Sequence, residues 1–154
     1  MSAMSAVRYL LLGAALVTSL AGCAGLDVLH SGAQCPGGTE RQVRLIRDQA
    51  ELDAVWRGLS AGPQASPAPR LGIGQALLIA DAERPSAGYG LSLDSRYLVT
   101  REGVASLSVR SATPSGITAQ VVTRPCLLLA IPVGDYATVE VRDQDGRAWL
   151  SAPR

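Results

Sequence analysis

Two uninterrupted apolar runs constrain the fold of this chain more than any other feature of its sequence. The runs are ALLIA (76–80) and LLLAI (127–131). A strand with one face in water alternates apolar and polar residues, whereas a strand covered on both faces is apolar throughout. Both runs are therefore predicted to be central strands of a sheet with further structure on each side.

Further segments have the pattern of short strands separated by Gly and Pro turns. Alternation is clear in 89–94 and in 105–110, where every second residue is apolar. Such a succession predicts a mainly β fold, an antiparallel β-sandwich or a partly open barrel. DQDG (143–146) is predicted to be an Asp-Gly hairpin turn rather than a calcium loop, because no Glu follows at the required spacing. The other predicted strands are QVRLIR, GYGLSLD, VASLSVR, ITAQVVT, ATVEVR and RAWL.

One N-terminal helix is predicted to pack on this β structure. Asp48 can cap its first turn, and Glu51 stands at the spacing of a capping box. Gly62 and Pro63 are expected to end it. Residues spaced as on one helical face are Leu52, Val55, Trp56 and Leu59.

The first 22 residues have the layout of a secretory signal: one cation (Arg8), the uncharged run YLLLGAALVTSL and a small-residue exit. LAGC (20–23) is similar to the lipobox of bacterial lipoproteins, in which cleavage precedes the cysteine and the lipid is attached to it. An ordinary signal peptide and a tilted membrane helix remain alternatives. The expected domains are a signal peptide at 1–22, an irregular tether at 23–41 and a β-rich domain at 42–154.

A lipid on Cys23 would place the protein at the cell envelope. The residues after the anchor, Ala24 and Gly25, lack the Asp that retains lipoproteins at the inner membrane. The expected location is therefore the outer membrane, with the domain facing the periplasm. The membrane would be contacted through the lipid, since several acyl chains together give stable anchoring.

Three cysteines are present, and lipidation of Cys23 would leave Cys35 and Cys126 as the only possible pair. A signal peptide implies an oxidising compartment, where disulfides persist. A Cys35–Cys126 bridge would close a loop of about 92 residues and stabilise the fold by roughly 4–5 kcal/mol. Two separate buried thiols are the alternative.

The charge of the chain argues against nucleic acid as a partner. Of 14 cations, Arg8 would leave with the signal peptide, so 13 would balance 13 acidic residues. Such a chain carries no excess of positive charge for a phosphate backbone.

Three short motifs and two cysteines carry a resemblance to a known family. They are Pro85, Ser86, Ala87, Gly88 and Tyr89, then Pro114, Ser115 and Gly116, then Thr123 and Pro125, with Cys126 and the earlier Cys35. These residues resemble the PrcB family, which is named after an accessory lipoprotein subunit of a spirochaete surface protease complex, over roughly residues 42–148. The resemblance implies an accessory, protein-binding or protein-stabilising role outside the cytoplasm, toward an exported protein such as a protease.

The same turn supplies the candidate protein-binding residues Pro85, Gly88, Tyr89 and Gly90. Pro85 restricts its own backbone, Gly88 can adopt angles that other residues avoid, and Gly90 would allow close approach of a second backbone. Tyr89 has the ring and hydroxyl favoured at binding hot spots. Tyr89 also alternates with Leu91 and Leu93, so a position in the core is the alternative.

No catalytic constellation is recognisable, and neither an enzymatic activity nor a cofactor or metal is expected. The single histidine, His30, falls in the predicted tether, where no rigid element would hold it beside a nucleophile. Asp81 and Glu83 could be paired carboxylates, but charges at the end of a strand are expected to be solvated. The alternative function is a protease inhibitor, because RPSAGYG is loosely similar to a loop of chagasin-type cysteine-protease inhibitors.

Overall fold

The computed structural model describes residues 22–61 and 66–154, so the predicted signal peptide lies outside the described residues except for Gly22. The described residues form ten strands and one helix, and the prediction of a mainly β fold is confirmed. In chain order the elements are β1 (Gly22–Gly25), β2 (Asp27–Gly32), β3 (Gln42–Ile46), α1 (Gln49–Leu59), β4 (Gln75–Ala80), β5 (Gly90–Leu93), β6 (Tyr97–Arg101), β7 (Val104–Ala112), β8 (Cys126–Ile131), β9 (Thr138–Arg142) and β10 (Ala148–Pro153).

The strands form two sheets in a sandwich-like arrangement that is not a closed barrel. Sheet A has the order β1-β6-β7-β9-β10, and β5 also pairs with β7. Sheet B has the order β2-β8-β4-β3. All pairs are antiparallel except β7 and β9, which run parallel.

Sheet B is the middle layer of three, and this explains the two apolar runs. They form β4 and β8, the two central strands of the sheet. Leu77 and Ile79 of β4 enter the core between the sheets, whereas Leu78 enters the core beneath the helix. The prediction that both strands are covered on both faces is confirmed.

Helix α1 covers the outer face of sheet B and begins as predicted. The Asp48 side chain accepts a hydrogen bond from the Glu51 backbone N–H at 2.8 Å, which satisfies one of the unpaired donors of the first turn. Leu52 and Val55 are buried against sheet B, and Trp56 packs at their edge. The helix ends at Leu59, and Gly62 and Pro63, which were expected to stop it, lie outside the described residues.

The first part of the predicted tether is not irregular. β1 pairs with β6 of sheet A, and β2 pairs with β8 of sheet B. Between them the buried Leu26 donates its backbone N–H to the Arg96 carbonyl at 2.9 Å. We call residues 22–32 the clasp, because this segment joins both sheets. Within the described part of the chain, no helix is long and apolar enough to cross a membrane.

Two local predictions were wrong. ITAQVVT (117–123) was predicted to be a strand, but residues 113–122 form an irregular loop. Conversely, β6 was not predicted, although it is the partner of both β1 and β7. The hairpin turn at 143–146 is confirmed, with the Gly146 N–H donating to the Asp143 carbonyl at 3.0 Å.

Candidate functional site

The four predicted protein-binding residues lie in one turn between β4 and β5. We call residues 84–90 the recognition turn. Pro85 and Gly88 are exposed, Tyr89 is half-buried, and Gly90 begins β5. A Cβ at Gly90 would meet the Ala112 Cβ at 3.8 Å, an ordinary contact, so the close approach expected there is not required.

The recognition turn is fixed to the loop that was mistaken for a strand. We call residues 113–122 the facing loop. Arg84 and Thr123 exchange two backbone hydrogen bonds, at 2.7 and 2.9 Å, and the Thr123 hydroxyl donates to the Ser86 carbonyl at 2.9 Å. The Ala87 N–H donates to the Ala119 carbonyl at 2.9 Å. The backbone of the turn is therefore held at several points along its length.

The Tyr89 ring lies at the rim of the core. The Arg84 guanidinium carbon stands 5.3 Å from the centre of the ring, within the range of a cation–π interaction. Leu91 is buried between the sheets, but Tyr89 belongs to neither apolar core. Its ring is therefore partly open to solvent.

The facing loop adds exposed apolar side chains to this surface. Ile117, Val121 and Val122 are all exposed. Gln34, which follows the clasp, donates its side-chain N–H to the Val122 carbonyl at 3.2 Å. We call the recognition turn and the facing loop together the recognition surface. The sequence signal for it was the apolar content of 117–123, which is also what suggested a strand.

A buried carboxylate, Asp81, forms an ion pair with the first residue of the recognition turn, Arg84. Its burial was not predicted from the sequence. Asp81 is only 2% exposed. Its two oxygens accept from Arg41 Nε at 3.1 Å and from Arg84 Nη2 at 2.7 Å. The expectation of solvated charges was wrong for Asp81, because two arginines replace water around it, whereas Glu83 is exposed.

A buried arginine joins the turn to the segment after the clasp. Arg124 is 4% exposed and donates only to backbone carbonyls among the described residues. Its Nε reaches the Asp81 carbonyl at 3.2 Å, and its Nη2 reaches the Glu40 carbonyl at 2.8 Å. Its Nη1 donates to the Pro36 and Gly37 carbonyls. One side chain thereby binds four backbone carbonyls, three of them in the irregular segment 36–40.

The two cysteines of the predicted bridge lie together beside this arginine. Cys35 and Cys126 are free thiols buried in the apolar cluster beneath the helix, and the Cys35 backbone N–H donates to the Arg124 carbonyl at 2.9 Å. The neighbouring Cys126 thiol and the Arg124 cation hold the pKa of Cys35 below its usual value, whereas the Cys35 thiol and burial raise the pKa of Cys126. The disulfide itself stays a prediction.

The predicted lipid attachment site and the histidine both lie on the clasp. Cys23 is exposed in β1 opposite Val99 of β6, and its lipidation stays a prediction. His30 is half-buried on β2, with its ring 5.9 Å from the Trp56 ring in an edge-to-face contact. The expectation that nothing rigid holds His30 was wrong. Among the residues described, no group of three or more His, Cys, Asp or Glu side chains could hold a metal ion.

Comparison with protein-family models, with curated proteins and with solved structures finds no significant match to this chain. The geometry defines a three-layer β domain with an ordered, partly apolar surface at one end.

Proposed function

We propose that this protein is a cell-envelope lipoprotein, anchored through Cys23, which binds or stabilises an exported protein through its recognition surface. An exported protease is the partner class that the resemblance to the PrcB family favours. The anchor is expected in the outer membrane with the domain in the periplasm. The support for the anchor is the LAGC motif after an apolar run, and the support for binding is the recognition surface.

One observation carries the binding proposal: the recognition surface is ordered before any partner arrives. The turn is tied to the facing loop by backbone hydrogen bonds, and Asp81 and Arg124 hold it from inside. Ordering a loop on binding costs free energy, which a prearranged surface avoids. The surface also carries the partly open Tyr89 ring, and tyrosine is enriched at binding hot spots.

Site-specific photo-crosslinking in the native envelope tests the proposal. A photoreactive amino acid is placed at Val122, on the recognition surface, or at Ile73, a fully exposed residue outside that surface. The Val122 position should give a discrete adduct with one envelope protein, and the Ile73 position should not. Equal adducts from both positions, or none from Val122 and from a second probe at Pro85, would contradict the proposal.

The protease-inhibitor alternative is favoured by one feature of the turn. An inhibitory loop must keep its shape inside a protease, and residues 84–87 are held by hydrogen bonds to Thr123 and Ala119. Soluble Cys23→Ala protein produced without residues 1–22 should then inhibit a cysteine or serine protease at stoichiometric concentration. A protein that binds an exported protease without slowing substrate cleavage would have the accessory role instead.

A further inference from the structure

We propose that Cys23, Tyr97 and Val99 form a membrane-contact face, by which the lipidated domain lies against the bilayer surface. This inference rests on the lipid at Cys23 in the proposed function. It adds a protein surface to the lipid as a second point of attachment, and it fixes which side of the domain meets the membrane.

Strand register places the three side chains on one face of sheet A. Cys23 pairs with Val99, Ala24 with Leu98, and Gly25 with Tyr97. Leu98 points inward, since it is buried in the core between the sheets. Side chains alternate along a strand, so Tyr97 and Val99 point outward, on the side where Cys23 is exposed.

These outward side chains are unusually apolar for a sheet face in water. Tyr97 is 60% exposed and Val99 is also exposed. Tyrosine is enriched at the boundary between lipid and water, where its ring meets the acyl region and its hydroxyl stays hydrated. A lipid attached one strand away would bring the bilayer to these residues.

The clasp leaves no free chain between the lipid and the domain. An unstructured residue can extend a tether by about 3.3–3.6 Å. Cys23 would be the first residue of the mature chain, yet it already lies in β1 and is hydrogen-bonded into sheet A. The domain would therefore be held within contact distance of the headgroups rather than suspended on a tether.

The charges around this face suit a bilayer that contains anionic lipids. Arg96 and Arg101 are exposed on either side of Tyr97 and Val99. Neither forms an ion pair within residues 22–61 and 66–154. The carboxylates nearest in sequence are Glu102, in the turn after β6, and Asp94, which is paired with Arg110. The hairpin 96–103 has a net charge of +1.

Contact at this face leaves the recognition surface uncovered. Val99 pairs with Ser106 of β7, whereas the recognition turn enters β5 opposite Ala112 at the far end of β7. Six residues of strand separate these positions, which is about 20 Å at 3.3 Å per residue. A partner could therefore bind while the domain lies on the membrane.

Hydroxyl-radical footprinting tests the membrane-contact face. The purified lipidated protein is reconstituted into vesicles of phosphatidylethanolamine and phosphatidylglycerol, and soluble Cys23→Ala protein produced without residues 1–22 serves as the reference. Oxidation of Tyr97 should be at least threefold slower in the vesicles, whereas oxidation of Tyr89, on the recognition surface, should be unchanged. An unchanged rate at Tyr97 in protein whose N-terminal peptide carries lipid would overturn the inference.

A variant and two further readouts separate the possible outcomes. Val99→Asp, at an exposed position that should not disturb folding, is expected to return Tyr97 oxidation toward the soluble rate. Protection of Tyr97 in the soluble protein that grows with protein concentration would identify a second copy as the occupant and overturn the inference. An N-terminal peptide found to carry no lipid would overturn both this inference and the lipid anchor of the proposed function. Partner binding is tested separately, by crosslinking from Val122.

Discussion

Gly88 packs so closely against Pro114 that a Cβ added to Gly88 would lie 2.7 Å from the Pro114 Cβ. Gly88 also has a φ of +91°, which residues with side chains rarely adopt. The two residues are 26 positions apart in the sequence. Their contact holds the recognition turn directly against the facing loop.

Gly88→Ala should therefore destabilise the protein through both strain and steric overlap, by about 2–3 kcal/mol. Gly116→Ala is the matched control, because Gly116 has a φ of +81° with nothing within 4 Å of an added Cβ. The control should lose about 1 kcal/mol from backbone strain alone. Chemical denaturation measures both, and equal losses would show that the Pro114 contact contributes nothing.

Oxidation should join Cys35 and Cys126, which are buried in the same apolar cluster. In the unfolded, unreduced protein neither residue should react with an alkylating agent. Reduction should then lower the free energy of unfolding by up to about 4–5 kcal/mol, the loop-closure value. Alkylation of both residues before reduction would show that the native protein keeps two free thiols.

Stability should fall at alkaline pH because of Tyr136. Its hydroxyl donates to the Pro132 carbonyl at 2.6 Å, and burial raises the pKa of Tyr136 even though the nearby Arg154 cation lowers it. The unfolded chain then releases this proton first, so stability is full below about pH 10 and declines as the pH rises through the pKa of the folded state.

The control for this pH dependence is Tyr136→Phe. Loss of the hydrogen bond should lower its stability by about 1 kcal/mol at neutral pH. Its unfolding free energy should also decline less between pH 9 and 11, measured by urea titration on oxidised protein. Parallel declines in parent and variant would assign the alkaline effect to other groups.

Tyr89→Ala should impair partner binding more than stability. Removing a half-buried ring that contacts one guanidinium should lower the free energy of unfolding by about 1–2 kcal/mol. Removing a fully buried aromatic ring would lower it by roughly 3 kcal/mol or more. Tyr97→Ala removes an exposed tyrosine of β6, outside the recognition surface, and serves as the control. Crosslinking from Val122 should be lost in the Tyr89 variant and kept in the Tyr97 variant. The reverse pattern would show that the partner depends on Tyr97 and not on Tyr89.

Cys23→Ala should abolish lipid attachment without unfolding the domain, because the side chain at this position is exposed. The variant should remain an unlipidated precursor and incorporate no labelled palmitate. A processed variant that still carries palmitate would place the lipid elsewhere.

The parts of the fold that depend on local pattern were predictable. The runs at 76–80 and 127–131 are apolar on both faces because sheet B is covered by sheet A and by α1. The helix start follows from Asp48 and its neighbours within one turn. In each case the residues that specify the structure are contiguous.

The candidate site was only partly predictable, because its supports come from distant segments. The turn at 84–90 stood out through its Pro, Gly and Tyr residues. Nothing local marks Asp81 or Arg124 as buried, since each is stabilised by groups that the fold brings from elsewhere. Residues 22–32 have no clear periodicity, and they become strands only because β6 and β8 offer free edges.

The pairing of β2 with β8 also has a consequence for how the chain folds. Val28 is in register with Leu129, so this ladder joins segments about a hundred residues apart. Contacts of such long sequence separation require a large loop to close first, and chains dominated by them fold slowly. Because the chain is synthesised from its N-terminus, sheet B cannot be completed until residues 126–131 have been made. The clasp is thus among the last parts of the protein to reach its native structure, although it is among the first to be synthesised.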